Sequence, residues 1–266
     1  MTNIKTLMNL SGRRALITGA SGGLGHVMAD SLAELGADLI LVDLPRADPL
    51  ALAQKLNDRY GITAKAEICD LEDEKQRAML AARVLAGGEL SILINNAAFV
   101  GTSGLTGWAE PFEAQTLETW RRALEVNLTA AFHLSQLFAP ALRAAPGGSV
   151  VNIASIYGQW GPDWSLYEGT QMSNPAAYGA SKGGLIQFTR WLATTLAPEV
   201  RVNAISPGGI QRGQPEQFVN RYAKRTPMAR MATEDDFRGA VAFLASDMSA
   251  YLTGQIINVD GGWGGW

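Results

Sequence analysis

The chain has 266 residues, of which 47% are hydrophobic and 18% are charged, and its 22 basic and 25 acidic side chains give a formal net charge of −3. This composition is typical of a folded globular protein and excludes disordered, collagen-like and disulfide-rich classes. No block of like charge could follow a phosphate backbone, so nucleic acid is not an expected partner. The length predicts a single domain over residues 1–266.

The sequence also indicates a cytoplasmic protein that does not enter a membrane. Residues 1–10 contain one lysine and no apolar stretch of signal-peptide length. No run reaches the ~18 apolar residues that a membrane-spanning helix needs. The single cysteine, Cys69, cannot form a disulfide within the chain, and His26 and His133 lie in separate helical patterns, so no metal site is expected.

Short apolar runs of strand length alternate with longer helical patterns along the whole chain. The predicted strands are 15–18, 39–43, 64–69, 92–95, 150–154, 202–205 and 256–259. Continuous apolar strands that alternate with helices favour parallel pairing. The fold class is therefore predicted as α/β, a Rossmann-type doubly wound sheet of seven parallel strands with helices on both faces.

A glycine-rich turn, TGASGGLG at Thr18–Gly25, follows the first predicted strand and precedes a helical pattern. Gly19 suits a tight turn, Gly23 lets the backbone approach a pyrophosphate, and Gly25 allows close packing of helix on strand. A turn that serves packing alone is the alternative. The cofactor-binding residues predicted here are Gly19, Ser21, Gly22, Gly23, Leu24 and Gly25.

An acidic residue, Asp43, ends the second predicted strand about 20 residues after Gly23, the spacing at which a carboxylate accepts the hydroxyls of an adenosine ribose. The same carboxylate would repel a ribose phosphate, although Arg46 lies nearby. Asp43 and its neighbour Leu44 are therefore predicted in the cofactor site, and NAD(H) is favoured over NADP(H).

Tyr178 and Lys182 are four residues apart and lie on one face of a predicted helix. Hydride transfer to a carbonyl must be matched by a proton delivered to the alkoxide, and a tyrosine hydroxyl can deliver it. The pKa of free tyrosine is ~10, so an adjacent ammonium would favour the phenolate.

These segments resemble the short-chain dehydrogenase/reductase family. The resemblance rests on the glycine-rich turn, the NNAA segment 95–98, Asn127, Ser155 and the YGASK segment 178–182, and it runs from about residue 10 to residue 262. It implies that Tyr178 is the proton donor or acceptor, that Lys182 lowers its pKa and holds the ribose, and that Ser155 binds the substrate oxygen. Asn127, in a predicted helix 119–142, would anchor a water of the proton relay, whereas alone it would be a kink residue.

The same resemblance implies further cofactor contacts at strand ends. Asp70, Leu71 and Asn96 would line the adenine and ribose. Pro207, Gly208 and Ile210 would lie at the nicotinamide carboxamide. For each of these positions an ordinary strand-end turn is the alternative.

The segment between Ser155 and Tyr178 is longer than the family usually has. It resembles that of a subgroup associated with flagellin modification and surface-polysaccharide biosynthesis. Aromatic faces beside amides and carboxylates suit polyhydroxylated ligands, so this insertion, 156–175, is predicted to bind substrate. A satellite core or a subunit contact is the alternative. The candidate substrate residues are Tyr157, Trp160, Trp164 and Tyr167.

Residues 208–226 resemble the mobile substrate lid of the family. The basic residues Arg212, Arg221, Lys224 and Arg225 could meet an anionic substrate, or they could form a solvated helix face. Trp263 and Trp266 look exposed at the end of the chain. They predict a homotetramer, with a homodimer as the alternative.

The sequence thus predicts an NAD(H)-dependent oxidoreductase that interconverts a secondary alcohol and a ketone on a sugar-like or other polar small molecule. One alternative is an NADPH-dependent 3-oxoacyl thioester reductase, which Asp43 and the bulky insertion disfavour. The other is a catalytically inactive dinucleotide-binding regulatory protein, which would be expected to lack Tyr178 or Lys182.

Overall fold

One parallel sheet organises the chain, of which the computed structural model describes residues 2–99 and 105–265. The strands are Arg14–Thr18 (β1), Asp38–Asp43 (β2), Ala64–Ile68 (β3), Ile92–Asn95 (β4), Gly148–Ile153 (β5), Val200–Pro207 (β6) and Ile256–Val259 (β7). They lie in the order β3-β2-β1-β4-β5-β6-β7, and every pair is parallel. The predicted seven-stranded parallel sheet is confirmed.

Helices cover both faces of this sheet. Their bounds are Ile4–Met8 (α1), Gly23–Glu34 (α2), Pro49–Tyr60 (α3), Glu74–Ala86 (α4), Leu117–Leu124 (α5), Ala130–Ala144 (α6), Ala176–Leu196 (α7), Glu216–Arg225 (α8) and Arg238–Ala245 (α9). None of the helices in the described ranges is both long enough and apolar enough to cross a bilayer.

Alternate side chains of each strand fill two cores, one on each face of the sheet. In β2, Leu39 and Leu41 join the core under α2, α3 and α9, whereas Ile40 and Val42 join the core under α4, α6 and α7. This alternation follows from the two-residue period of a strand. All four side chains are at most 4% exposed, and burying one such side chain contributes roughly 1.5–3 kcal/mol. The two cores make the sheet a rigid base for the loops at its carboxyl edge.

The carboxyl ends of β1 and β4 lie side by side at the centre of the sheet. The strand order reverses between them, and doubly wound sheets bind ligands in the crevice that such a reversal opens. Asn96 follows β4, and its backbone N–H donates to the Thr18 hydroxyl of β1 at 3.0 Å. The glycine-rich turn after β1 is thus fixed against the loop after β4.

The predicted helix 119–142 is helical throughout, but a π-helical turn at Glu125–Thr129 divides it into α5 and α6. Such turns are inserted into helices mostly at functional sites. This one contains the candidate residue Asn127. The periodicity of apolar residues continues through the turn, so the sequence pattern does not reveal it.

The insertion 156–175 packs against the lid segment 208–226. It holds two short 3-10 turns, Ile156–Gly158 and Trp164–Leu166, whereas the lid segment contains α8. Arg221 of α8 donates to the Leu166 carbonyl at 3.3 Å. Side chains of both segments meet in a satellite core made of Ile156, Leu166, Tyr167, Phe218, Tyr222, Met231 and Trp263.

The expectation that Trp263 is exposed was wrong. Its side chain is 5% exposed, because the indole stacks on the Tyr222 ring at a centroid distance of 4.5 Å within the satellite core. Trp266, the other tryptophan of that expectation, lies outside the described residues.

Candidate active site

The backbone of the glycine-rich turn leaves no room for side chains at two of its positions. Gly19 has φ +62°, a conformation that favours glycine. A Cβ on Gly25 would lie 2.0 Å from the Gly19 carbonyl oxygen. These glycines therefore bring the start of α2 directly against the end of β1, with the helix N-terminus at the crevice, where a helix dipole attracts an anion.

The Asp43 carboxylate at the end of β2 is held by this turn. Ser21 N–H donates to Asp43 Oδ2 at 2.9 Å, and Leu44 N–H donates to Oδ1 at 2.8 Å. The buried Ser21 hydroxyl has no hydrogen-bond partner among residues 2–99 and 105–265. A cradle of backbone, an uncapped helix start and an unused buried hydroxyl beside a carboxylate fit the adenosine and diphosphate of a dinucleotide.

The other residues predicted to line the adenine and ribose lie just after β3 and β4. The Asn96 amide donates to the carbonyl oxygens of Thr18 and Gly19 at 2.9 and 3.0 Å, so its side chain supports the glycine-rich turn. Asp70 Oδ1 accepts from the Glu72 N–H at 2.9 Å, and Leu71 is 8% exposed in the core. The structure brings these residues to the same edge, each with a structural partner.

Ser155, Tyr178 and Lys182 come together between the end of β5 and the first turns of α7. Ser155 is 5% exposed, and its side chain acts to lower the pKa of the nearby Tyr178 hydroxyl. Lys182 is 2% exposed, and its Nζ donates to the Ile153 carbonyl at 2.6 Å and lies 5.9 Å from the centre of the Tyr178 ring. Two hydroxyls and a buried amine therefore share one small volume.

Burial has the largest effect on the electrostatics of this group. Burial raises the pKa of Tyr178, and the effects that oppose it come from the Ser155 hydrogen bond and the charge of Arg212. Burial also lowers the pKa of Lys182 to about 8. The charge of Arg212, in the segment 208–226, therefore favours the phenolate of Tyr178.

Asn127 is buried in the π-helical turn and is bonded on both sides. Its Oδ1 accepts from the Phe99 N–H at 2.6 Å, and its Nδ2 donates to the Ser181 hydroxyl at 3.0 Å. Ser181 in turn donates to the Tyr178 carbonyl at 2.8 Å. Asn127 thus ties the loop after β4 to the turn of α7 that carries the tyrosine and the lysine.

The turn after β6 is held in place by α8 and β7. Pro207 is the last residue of β6, and the Gly208 N–H donates to the Val259 carbonyl at 3.0 Å. Gly209 N–H donates to the Tyr222 hydroxyl of α8 at 2.5 Å, and Ile210 pairs with Ala232. The carboxamide-side candidates Pro207, Gly208 and Ile210 therefore lie in a turn braced by α8.

The insertion residues divide between a cavity and the satellite core. Tyr157, Trp160 and Trp164 line a cavity of about 630 Å³ that borders the start of α7, together with Glu110 and Asn174. Tyr167 instead packs in the satellite core, where its hydroxyl lies 2.7 Å from the Tyr157 hydroxyl. The insertion thus contributes both to the wall of a cavity and to the satellite core.

Sequence reasoning missed one pair at the site, Arg212 with Glu234. Arg212 Nε donates to Glu234 Oε1 at 2.7 Å directly above Gly23. Arg212 was noted only as one of several basic lid residues, and Glu234 precedes α9 with no motif to single it out. The position of Arg212 five residues after Pro207 is the one signal that places it near the crevice.

Comparisons with known proteins agree with this site. A family model described as Enoyl-(Acyl carrier protein) reductase matches residues 19–264. The chain is 34% identical over 262 residues to the probable galactose dehydrogenase GalD of Rhizobium meliloti (strain 1021), covering 96% of each chain. It is 33% identical over 265 residues to the tropinone reductase homolog At5g06060 of Arabidopsis thaliana, covering 96% of this chain and 93% of the relative.

A solved structure shows the same likeness over the whole fold. The putative NAD(P) dependent gluconate 5-dehydrogenase from Beutenbergia cavernae, with bound NADP, has a TM-score of 0.86 and 33% identity, covering 98% of this chain and 100% of that chain. The chain therefore belongs to the short-chain dehydrogenase/reductase family and is an oxidoreductase that interconverts a secondary alcohol and a ketone with a nicotinamide dinucleotide.

Proposed function

We propose that the chain transfers hydride between NAD(H) and a secondary alcohol carbon of a sugar-like metabolite, with Tyr178 as the group that gives or takes the proton. The observation that carries this proposal is that Ser155 acts on the Tyr178 hydroxyl beside the buried Lys182 amine. A carbonyl oxygen placed on these two hydroxyls would be polarised by one and protonated by the other.

Each of these residues would have a separate task. When bound, the nicotinamide supplies or accepts the hydride. Ser155 orients the substrate oxygen, and Tyr178 moves the proton at that oxygen. The Lys182 ammonium has three N–H donors, of which the Ile153 carbonyl takes one, so the others are free to hold ribose hydroxyls. Asn127 keeps the first turns of α7 in place through Ser181.

We propose NAD(H) as the preferred dinucleotide. The support is the Asp43 carboxylate, which the Ser21 and Leu44 amides hold at the end of β2. A ribose 2′-phosphate at this position would meet a like charge, which costs affinity. The NADP bound to the Beutenbergia cavernae protein belongs to that protein's own site and leaves the preference of this chain to be measured.

A polar, polyhydroxylated substrate is proposed from the cavity that borders the start of α7. Its indole and phenol walls, from Trp160, Trp164 and Tyr157, suit the apolar faces of a sugar ring, and the Asn174 amide offers hydrogen bonds. The names of the galactose and gluconate dehydrogenases agree with this class. Within it, a precursor of flagellin or surface-polysaccharide sugars remains our proposal for this chain.

Domain organisation and assembly are also proposals. We treat residues 1–266 as one domain with a substrate insertion at 156–175 and a lid at 208–226. Phe132 of α6 and Trp191 of α7 are 44% and 56% exposed, and both contact the Phe188 ring. Exposed aromatic patches mark interfaces, so we propose a homotetramer built on this face, with a homodimer as the alternative that light scattering would distinguish.

A cytoplasmic location is proposed as well. The dinucleotide must be returned to its other redox state by other enzymes after each turnover. An oxidoreductase of this kind therefore has to share a compartment with the cellular pool of NAD(H).

The proposed function can be tested in two steps. The first titrates the protein with NADH and with NADPH and follows the cofactor fluorescence. The second measures NADH oxidation with keto-sugars, nucleotide-linked keto-sugars and 3-oxoacyl thioesters at the same concentrations. NADH preference with keto-sugar turnover is the expected result. NADPH preference with thioester turnover would replace this proposal by the thioester reductase.

A further inference from the structure

An Arg–Glu ion pair lies on the backbone at the start of α2. A Cβ on Gly23, the first residue of that helix, would come within 2.8 Å of Glu234 Oε1 and 2.9 Å of Arg212 Nη2. The helix is preceded by Gly22, has no side-chain cap and has no acidic residue in its first turn. The nearest carboxylate to Gly23 thus comes from a distant part of the chain.

The two partners are held very differently. Glu234 begins the 3-10 turn Glu234–Phe237, which a capping box between Thr233 and Asp236 fixes just before α9. Arg212 lies in the lid segment, where its backbone N–H donates to Gln214 Oε1 at 2.7 Å. The ion pair therefore joins the segment 208–226 to the turn before α9, and Arg212 is the partner that lies outside the capping box.

The ion pair is partly open to solvent, with side-chain exposures of 49% for Arg212 and 29% for Glu234. Burial is the largest single effect on the Glu234 carboxyl and acts to raise its pKa, but hydrogen bonds and the charge of Arg212 leave that pKa below its usual value. Glu234 is therefore an anion at neutral pH. Exposed ion pairs of this kind contribute little to stability. Little free energy is therefore lost when Arg212 leaves Glu234 for another anion.

The ion pair lies where the diphosphate of a dinucleotide would bind. The diphosphate of such a ligand is attracted to a glycine-rich helix start, which is the place that the Glu234 carboxylate adjoins. Two anions at one helix start repel each other, and the bidentate contact that an arginine makes with a phosphate competes with its contact to a carboxylate. The charge of Arg212 also acts to lower the pKa of Tyr178. One side chain therefore influences both the phosphate side of the crevice and the Tyr178 hydroxyl.

We propose that Arg212 and Glu234 form a latch over the diphosphate site. Dinucleotide binding moves the Arg212 guanidinium from Glu234 to the diphosphate, so Arg212 is a cofactor-binding residue and Glu234 is a built-in competitor that weakens binding and speeds release. The latch rests on the proposed dinucleotide site. It also couples the lid to the cofactor, because closing the lid over the diphosphate requires opening the ion pair.

Equilibrium binding of NADH and of ADP-ribose, which keeps the diphosphate but lacks nicotinamide, tests the latch. Glu234→Gln removes the competitor and is expected to tighten both ligands by roughly 5-fold or more, the usual lower range of site coupling. Arg212→Gln is expected to weaken both by about 10-fold, since it removes a charge-assisted contact. In the Arg212→Gln background, Glu234→Gln should no longer tighten binding.

A matched control exists at the other end of the same helix. Glu34 pairs with Arg238 at 2.6 Å, and Glu34→Gln should leave both dissociation constants unchanged. Arg212→Lys keeps the charge, so it should bind more tightly than Arg212→Gln, and thermal melting of each variant verifies that it is folded. Unchanged or weaker binding in Glu234→Gln would overturn the latch while leaving the cofactor site intact. Failure of the unaltered protein to bind NADH, NADPH or ADP-ribose would overturn the dinucleotide site and the latch together.

Discussion

The Lys182 ammonium donates to the carbonyl oxygen of Ile153, the last residue of β5, at 2.6 Å. This bond anchors α7 to the sheet at the residue before the Ala154–Ser155 step, so Ser155 and Tyr178 of α7 are fixed relative to one another. The amine is 2% exposed, and burial lowers its pKa to about 8. The buried amine of Lys182 therefore fixes the geometry of the site but lowers the stability of the folded protein.

The burial of Lys182 predicts how the free energy of unfolding changes with pH. The folded pKa of Lys182, about 8, lies below the ordinary value of 10.5, so between these pH values the unfolded chain binds more protons than the folded chain. The stability of the unaltered protein relative to Lys182→Met should therefore rise across this window, by roughly 2–3 kcal/mol in total. Urea unfolding at pH 7, 8, 9 and 10 measures it, and parallel curves for the two proteins would contradict a buried, titrating amine.

Removal of one hydroxyl tests the proposed proton transfer. Tyr178→Phe should lower kcat by ~10²–10⁴, the usual loss when a general acid or base is removed. NADH binding should stay nearly the same, because the change leaves the glycine-rich turn and Asp43 untouched. Tyr251→Phe is the matched control, since Tyr251 is fully exposed. Equal turnover in Tyr178→Phe and Tyr251→Phe would exclude Tyr178 as the proton carrier.

The parts of the site that local sequence determines were predictable. A strand followed by TGASGGLG specifies a tight turn and a helix start, and Gly19 and Gly25 lie where a side chain would not fit. Tyr178 and Lys182 share a face because they are one helical turn apart. In both cases the spacing along the chain fixes the geometry.

Contacts between distant segments were not predictable in this way. Arg212 and Glu234 are 22 residues apart and meet above Gly23 because Ile210 pairs with Ala232. Trp263 looked exposed by its position near the end of the chain, yet Tyr222 of α8 covers it. A hydrophobic pattern reports that a residue can be buried, whereas the partner that buries it depends on tertiary packing.

If NAD(H) is preferred as proposed, selectivity between the two dinucleotides should depend on the carboxylate of Asp43. Asp43→Asn removes the charge while keeping an oxygen that can accept from the Ser21 and Leu44 amides. The ratio of NADH to NADPH affinity should fall by about 10-fold or more, because repulsion of the ribose phosphate is lost. Competitive fluorescence titrations give this ratio. The control is Asp48→Asn at the start of α3, and an unchanged ratio in Asp43→Asn would assign the selectivity to another residue.

The π-helical turn that carries Asn127 is held by an ion pair. Arg77 of α4 is 2% exposed, and its Nη2 lies 2.8 Å from Glu125 Oε1 in the turn, while its Nε donates to His133 Nδ1 at 3.1 Å. Arg77 also donates to the Leu71 carbonyl. One buried guanidinium thus joins the adenine side of the crevice to the catalytic side.

Glu125→Gln removes the charge that faces Arg77 and should lower the free energy of unfolding by about 2 kcal/mol, since hydrogen bonds to buried charged groups are worth this much. A looser π-helical turn should also weaken the bond from the Phe99 N–H to Asn127. Amide hydrogen exchange of Phe99 should therefore accelerate more than that of the β-strand amides, and kcat should fall while NADH affinity changes little. Glu118→Gln on the exposed face of α5 is the matched control. If both variants unfold at the same urea concentration and exchange at the same rate, Arg77 does not stabilise the turn through Glu125.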